Sequence, residues 1–135
     1  MTVEIQLEGK GALAIDITGV ASAAAGGQGA IANPEGVSII ILRSTFHFRH
    51  ASNGAGNLGV GIAANATTKA TDVLNDLDVN GVAANSSYNG HAMQNTAKTA
   101  ISSPALWTTD KFLTFTGSAD LSGLDGTLYL EYIRA

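Results

Sequence analysis

Residues 12–18 read Ala-Leu-Ala-Ile-Asp-Ile-Thr, with Leu13, Ile15 and Ile17 at every second position. That period sends alternate side chains to opposite faces of a strand, whereas a helix needs apolar residues three and four apart. The same period recurs at Val3, Ile5 and Leu7, interleaved with Glu4, Gln6 and Glu8, and again at Leu128, Leu130 and Tyr132. A chain patterned this way at both ends must bury one face of each sheet against another layer. The expected fold class is all-β, a single-domain antiparallel β-sandwich of jelly-roll-like type over residues 1–135, with residues 1–9 as an N-terminal arm or edge strand.

The segments between fit that frame. Residues 37–50, VSIIILRSTFHFRH, form the longest strand candidate. Ile40, Leu42, Phe46 and Phe48 share the presumed core parity, Ile39 and Ile41 lie opposite, and Ser44-Thr45 is read as a bend or bulge. In residues 58–63, Gly59 and Gly61 alternate with Leu58, Val60 and Ile62, which predicts close approach by another backbone or ring. Residues 107–135 predict a long antiparallel hairpin: strands over 111–116 and 127–133, joined by a loop ending in the turn dipeptide Asp125-Gly126. Residues 67–77 are the one stretch with helical spacing, with Thr68 as cap and Ala70, Val73, Leu74 and Leu77 on one side; at most one short helix is expected, near 68–77. Val79-Asn80-Gly81-Val82 carries a hairpin signal. The Ala/Gly-rich residues 21–36 read as a loop, in which Ser22 caps a helical turn and Pro34-Glu35-Gly36 forms a turn.

Composition narrows the function classes. A chain of 135 residues buries about 68% of its unfolded surface, enough for a core without staples. Cysteine is absent, which removes disulfides and thiolate metal sites. The net charge of −4, with only 7 scattered Lys and Arg, gives no footprint for nucleic acid. Ile39 to Leu42 is the longest strongly apolar run, far short of a membrane span, and the N-terminus lacks the pattern of a secretory leader, so a soluble protein is expected. Charged residues make up 13% of the chain, against about 25% in ordinary domains. A surface so poor in charge is weakly protected against association, which favours contact with neighbours.

Motifs for chemistry are weak. Gly54-Ala55-Gly56-Asn57-Leu58-Gly59 has the spacing of a dinucleotide loop, yet Val60-Gly61-Ile62 continues as a strand where a helix is required. Asp76, Asp78 and Asn80 with Gly81 match the first half of a calcium loop, but Ser87 stands at the closing carboxylate position. His47 and His50, three apart on a strand, face opposite ways and cannot share an ion without a bulge. His47 lies with Arg43, Thr45 and Arg49 on a polar face suited to solvent, an anion or a partner's carboxylate. Asp120 and Asp125 solvate a loop. No nucleophile elbow or base-activated serine is present, so no enzyme and no cofactor are expected. Trp107 with Tyr129 and Tyr132, or with Tyr88, offers a platform for sugar stacking, against the commoner role of tryptophan in a core. Asn65-Ala66-Thr67 and Asn85-Ser86-Ser87 are sequons that mean little without a secretion signal.

Trp107, then Phe112-Leu113-Thr114-Phe115-Thr116-Gly117, a Gly/Ser/Asp loop, and Gly126-Thr127-Leu128-Tyr129-Leu130-Glu131-Tyr132-Ile133 at the chain end resemble the β-rich decoration (cement) proteins of tailed-bacteriophage capsids. The Gly/Ala/Asn/Thr-rich middle is similar to theirs as well. The resemblance implies a jelly-roll or related protomer, made in the host cytoplasm, that sits on the capsid exterior as a homotrimer, binds the major capsid protein and braces the lattice. It transfers no catalytic residue. The predicted subunit or capsid contacts are Val3, Ile5 and Leu7 of the arm, with Ile39, Ile41, Tyr129 and Ile133 opposite the presumed core parity. The alternative function is a carbohydrate-binding β-sandwich module.

Overall fold

The computed structural model describes residues 9–20, 28–90 and 104–135. The arm residues Val3, Ile5 and Leu7 and the helical turn expected after Ser22 lie outside them. Nine strands are described: β1 (Lys10–Val20), β2 (Gln28–Ala32), β3 (Ile39–His50), β4 (Asn57–Ala63), β5 (Leu74–Asp78), β6 (Ser87–Asn89), β7 (Ala105–Trp107), β8 (Phe112–Gly117) and β9 (Leu121–Arg134). They form two antiparallel sheets, β1-β9-β3-β6 with β7 also on β3, and β2-β8-β4-β5. β6 opposes residues 45–47 of β3 and β7 opposes residues 39–41, so the two act as one interrupted edge strand. Consecutive strands lie in opposite sheets except β4 and β5, which pair with each other, and β6 and β7, which share the β3 edge. This is the order of a jelly roll. Among the described residues there is no helix.

The core is one cluster filled from both sheets. Ile17, Ile39, Ile41, Phe46, Phe48, Trp107, Leu128, Leu130 and Tyr132 come from the first sheet; Leu58, Val60, Leu74, Leu77, Leu113 and Phe115 come from the second. Phe46 and Phe48 meet edge to face at a ring separation of 4.7 Å, and Phe48 meets Tyr88 similarly at 5.6 Å. Leu128, Leu130 and Tyr132 are inside, as their period requires.

Several expectations fail for identifiable reasons. Ile39 and Ile41, predicted to face a partner, are 0% and 2% exposed. The register against β9 shifts between Ile41 and Arg43, so a bulge places Leu42 and Arg43 together on the outer face and exchanges the inward parity. Ile39 and Ile41 point inward before it; Ser44, Phe46 and Phe48 point inward after it.

The terminal hairpin does not exist. β8 pairs with β4 and β2, while β9 pairs with β1 and β3, so the two runs belong to different sheets. Gly126 lies inside β9 rather than in a turn, and a Cβ there would stand 2.5 Å from the Phe46 ring.

Residues 74–78 are a strand where helical spacing was read. Asp76 has φ of 54°, and the pairs Leu58↔Leu77 and Val60↔Leu74 set three residues of β5 against two of β4. The extra residue turns Leu74 and Leu77 to the same side, which imitates a helical period. The Asn80-Gly81 signal is a turn between sheets, with Gly81 at φ 71°, and the loop read over 21–36 contains β2.

Candidate functional site: the open sheet face

The outward side of β1-β9-β3 is organised in cross-strand rows. Lys10, Ile133, Ile40 and Leu106 make the first, Ala12, Glu131 and Arg43 the second, and Ala14, Tyr129, Thr45 and Asn89 the third. Leu42, thrown outward by the bulge, joins this end of the face. Leu42, Leu106 and Tyr129 are 44%, 50% and 48% exposed, and Ile40 and Ile133 are half-buried. The Arg43 guanidinium lies 3.5 Å from the Glu131 carboxylate with both side chains well exposed. Such a pair contributes little to stability in water but becomes a directional contact when a partner excludes solvent.

Further along the face, hydrogen bonds replace apolar side chains. Arg49 donates to Asp125 at 2.7 Å, to Asp16 at 3.3 Å and to the Thr127 hydroxyl at 2.6 Å, and Thr127 in turn donates to Asp16 at 2.7 Å. The Thr127 hydroxyl, with Arg49 beside it, holds the Asp16 carboxyl below its ordinary value, and Arg49 does the same for Asp125. His47 bonds Ser87 and His50 bonds the carbonyls of Ala51 and Gly123, so the two rings have separate partners, although the register against β9 shifts between Phe48 and His50 and the simple strand period does not hold there. At the sheet corner Glu35 accepts from Arg134 at 2.6 Å and from Tyr132, which lowers its pKa and raises that of the tyrosine.

The remaining candidates separate. Trp107 is fully buried and its indole donates to the Lys111 carbonyl at 3.0 Å, so it presents no ring to a sugar. Tyr88 is packed against Phe48. Asp76 pairs with Lys69 at 3.5 Å, and Asp78 accepts from the Asn80 amide. Among the described residues no group of three or more histidine, aspartate or glutamate side chains is placed to hold a metal ion. Gly54 and Gly56 lie in the turn leading to β4, with no helix after it. A crevice of about 290 Å³ between β1, β2 and β8 is lined by Ile15, Ile17, Val20, Ile31 and Phe115. Among its described lining residues the one that ionises is Asp16, already bound to Thr127 and Arg49.

Of the predicted contacts, Tyr129 and Ile133 lie on the open face, Ile39 and Ile41 lie in the core, and Val3, Ile5 and Leu7 are outside the described residues. Sequence reasoning missed Ile40, Leu42 and Leu106. Leu42 was assigned inward by a parity that ignored the bulge beside it, and Leu106 stands alone between buried Ala105 and Trp107. No protein-family model, curated protein or solved structure matches this chain.

Proposed function

We propose that this chain is a virion structural protein that binds the outer surface of a capsid and braces its lattice, associating with itself as a homotrimer. The observation that carries the reading is the open sheet face. Val37, Leu42, Leu106 and Tyr129 are the exposed large apolar residues among the described part, and the last three share that face with Ile40 and Ile133. Burying such a patch against protein is favourable at about 25 cal/mol per Å² of apolar area. The low charged fraction and the resemblance of the chain end to capsid decoration proteins support the partner class, and the contacts proposed are Tyr129, Ile133, Leu42 and Leu106.

The carbohydrate-binding reading is weaker, because three of its four platform aromatics, Trp107, Tyr88 and Tyr132, are committed to internal packing. Sedimentation of the isolated protein, followed by rebinding to capsids purified without it, tests the assembly reading. A trimer that coats those capsids, and a Tyr129→Ser/Leu42→Ser protein that does neither while keeping its unfolding midpoint, is the expected result. A wild-type protein that stays monomeric at high concentration and ignores the capsids overturns it.

A further inference from the structure

The sequence holds three Asn-Gly pairs, Asn53-Gly54, Asn80-Gly81 and Asn89-Gly90. Such a pair can react with itself. The glycine backbone nitrogen attacks the asparagine side-chain amide carbon and a five-membered succinimide closes. The backbone N–H proton leaves with the amide nitrogen as ammonia. Water then opens the ring at either carbonyl, leaving aspartate or isoaspartate. Nothing is oxidised or reduced and no co-reactant beyond water is used. Two conditions govern the rate in a folded protein: the side chain must be free to swing onto the nitrogen, and that nitrogen must be free of its own hydrogen bond.

The three pairs meet these conditions differently. Asn80 donates from its side-chain amide to the Ser52 carbonyl at 2.9 Å, and its backbone N–H is held by Asp78, so its side chain is pinned. Asn89 lies within β6, and the attacking nitrogen of buried Gly90 donates to the Ser44 carbonyl at 3.1 Å. Asn53 and Gly54 are both exposed in the turn between β3 and β4. Their region is anchored only at its edges, by the Asn53 N–H on the Ser122 carbonyl and the Ser52 hydroxyl on the Gly54 carbonyl. Neither the Asn53 side chain nor the Gly54 N–H has a hydrogen-bond partner among the described residues, and no atom lies within 4 Å of the place a Gly54 Cβ would occupy.

We propose that Asn53 is a site of spontaneous deamidation in the folded protein, and that the fold spares Asn80 and Asn89. The product adds a negative charge where the Asn53 side chain lies against Gly123, whose carbonyl receives the His50 ring. The isoaspartate form also lengthens the β3–β4 turn by one backbone carbon. This proposal is independent of the assembly reading.

The test is to age the full-length folded protein in ¹⁸O-labelled water at mildly alkaline pH, digest it, and follow label in the three Asn-Gly peptides by mass spectrometry. A parallel sample in urea serves as the unfolded reference. In native buffer the Asn53 peptide takes up label first, with positions 80 and 89 about tenfold slower, since each must first break a hydrogen bond. In urea the three convert at comparable rates. Gly54→Ala, which the open turn accommodates, suppresses uptake at Asn53 alone. Native conversion at Asn80 or Asn89 as fast as at Asn53, or a silent Asn53 while the urea sample reacts, overturns the proposal.

Discussion

The two outward faces of this sandwich are built on opposite principles. On the β4–β8 side the chain covers itself: residues 64–73 lie across the sheet, and the residues beneath them are small or hydroxylated. A Cβ on Gly61 would stand 2.4 Å from the backbone of Ala70 and 2.6 Å from that of Thr71, and one on Gly59 would stand 3.0 Å from the Thr71 methyl. The Thr114 hydroxyl donates to the Thr68 carbonyl at 2.9 Å, and Asp72 accepts from the Ile62 N–H at 2.7 Å, so the covering segment is tied to both strands. On the β3–β9 side nothing in the described chain lies above Leu42, Tyr129 and Leu106, and the side chains are large. The contrast gives a rule for this molecule. Small residues at alternate outward positions mark a face closed by the protomer, and large ones mark a face left for something else.

The most damaging way to break the contrast is to force the closed face open. Gly61→Val places branched carbon into backbone that cannot rotate away, so the covering segment must lift. A loss of about 3 kcal/mol is expected, at the upper end for overpacking, with the urea midpoint falling at nearly constant slope. A loss below about 0.5 kcal/mol, typical of a surface position, would show that residues 64–73 are not packed on the sheet.

A finer test uses two threonines on the same face of β8. Thr114 holds the covering segment, whereas the buried Thr116 hydroxyl has no hydrogen-bond partner among the described residues. Thr114→Val leaves the Thr68 carbonyl unpaired and is expected to cost about 1–2 kcal/mol; Thr116→Val removes an unsatisfied polar atom and is expected to be neutral or stabilising by up to about 1 kcal/mol. Equal effects at the two positions would deny that the hydrogen bond to the segment holds it down.

The open face predicts the reverse balance. Leu42→Ala/Tyr129→Ala removes exposed side chains, so the monomer's unfolding free energy should move by no more than about 0.5 kcal/mol per site. Self-association measured by sedimentation should fall sharply all the same. A large loss of stability without any change in association would make these residues part of the protomer's packing.

Much of this was legible in the sequence, for one physical reason: a period of two reports a face wherever the ladder is regular. Leu13, Ile15, Ile17, Leu128, Leu130 and Tyr132 follow it, and Gly59 and Gly61 announced the close approach above them. It fails wherever one residue is inserted. The bulge at Leu42-Arg43 exchanged the faces of Ile39 and Ile41, and the extra residue at Asp76 made a strand look helical. Pairing partners are a second kind of information that period cannot hold. β8 and β9 are joined by three residues, yet they belong to opposite sheets, and nothing local distinguishes that crossing from a hairpin. The open face was half found for the same reason, Tyr129 and Ile133 by parity and Leu42 only after the bulge.

The smallest expected effect concerns the far end of the open face, where Arg49 joins Asp16 and Asp125. Hydrogen bonds from Thr127 and Arg49 to Asp16, and from Arg49 to Asp125, hold both carboxyls below the ordinary aspartate value of 3.8 in the folded state. A carboxyl whose folded pKa is depressed binds fewer protons when folded than when unfolded. Its stabilisation is therefore complete above the unfolded value and is lost as the pH falls through the folded one. Arg49→Gln removes the charge shared by both aspartates, so wild type and variant should differ most near neutral pH and converge as the pH drops below about 4. Urea unfolding across that range, with Arg43→Gln as the control for an exposed cation on the same face, reads the convergence directly. A gap that persists unchanged at low pH would mean that Arg49 acts through its packing on Thr127 rather than through the two carboxylates.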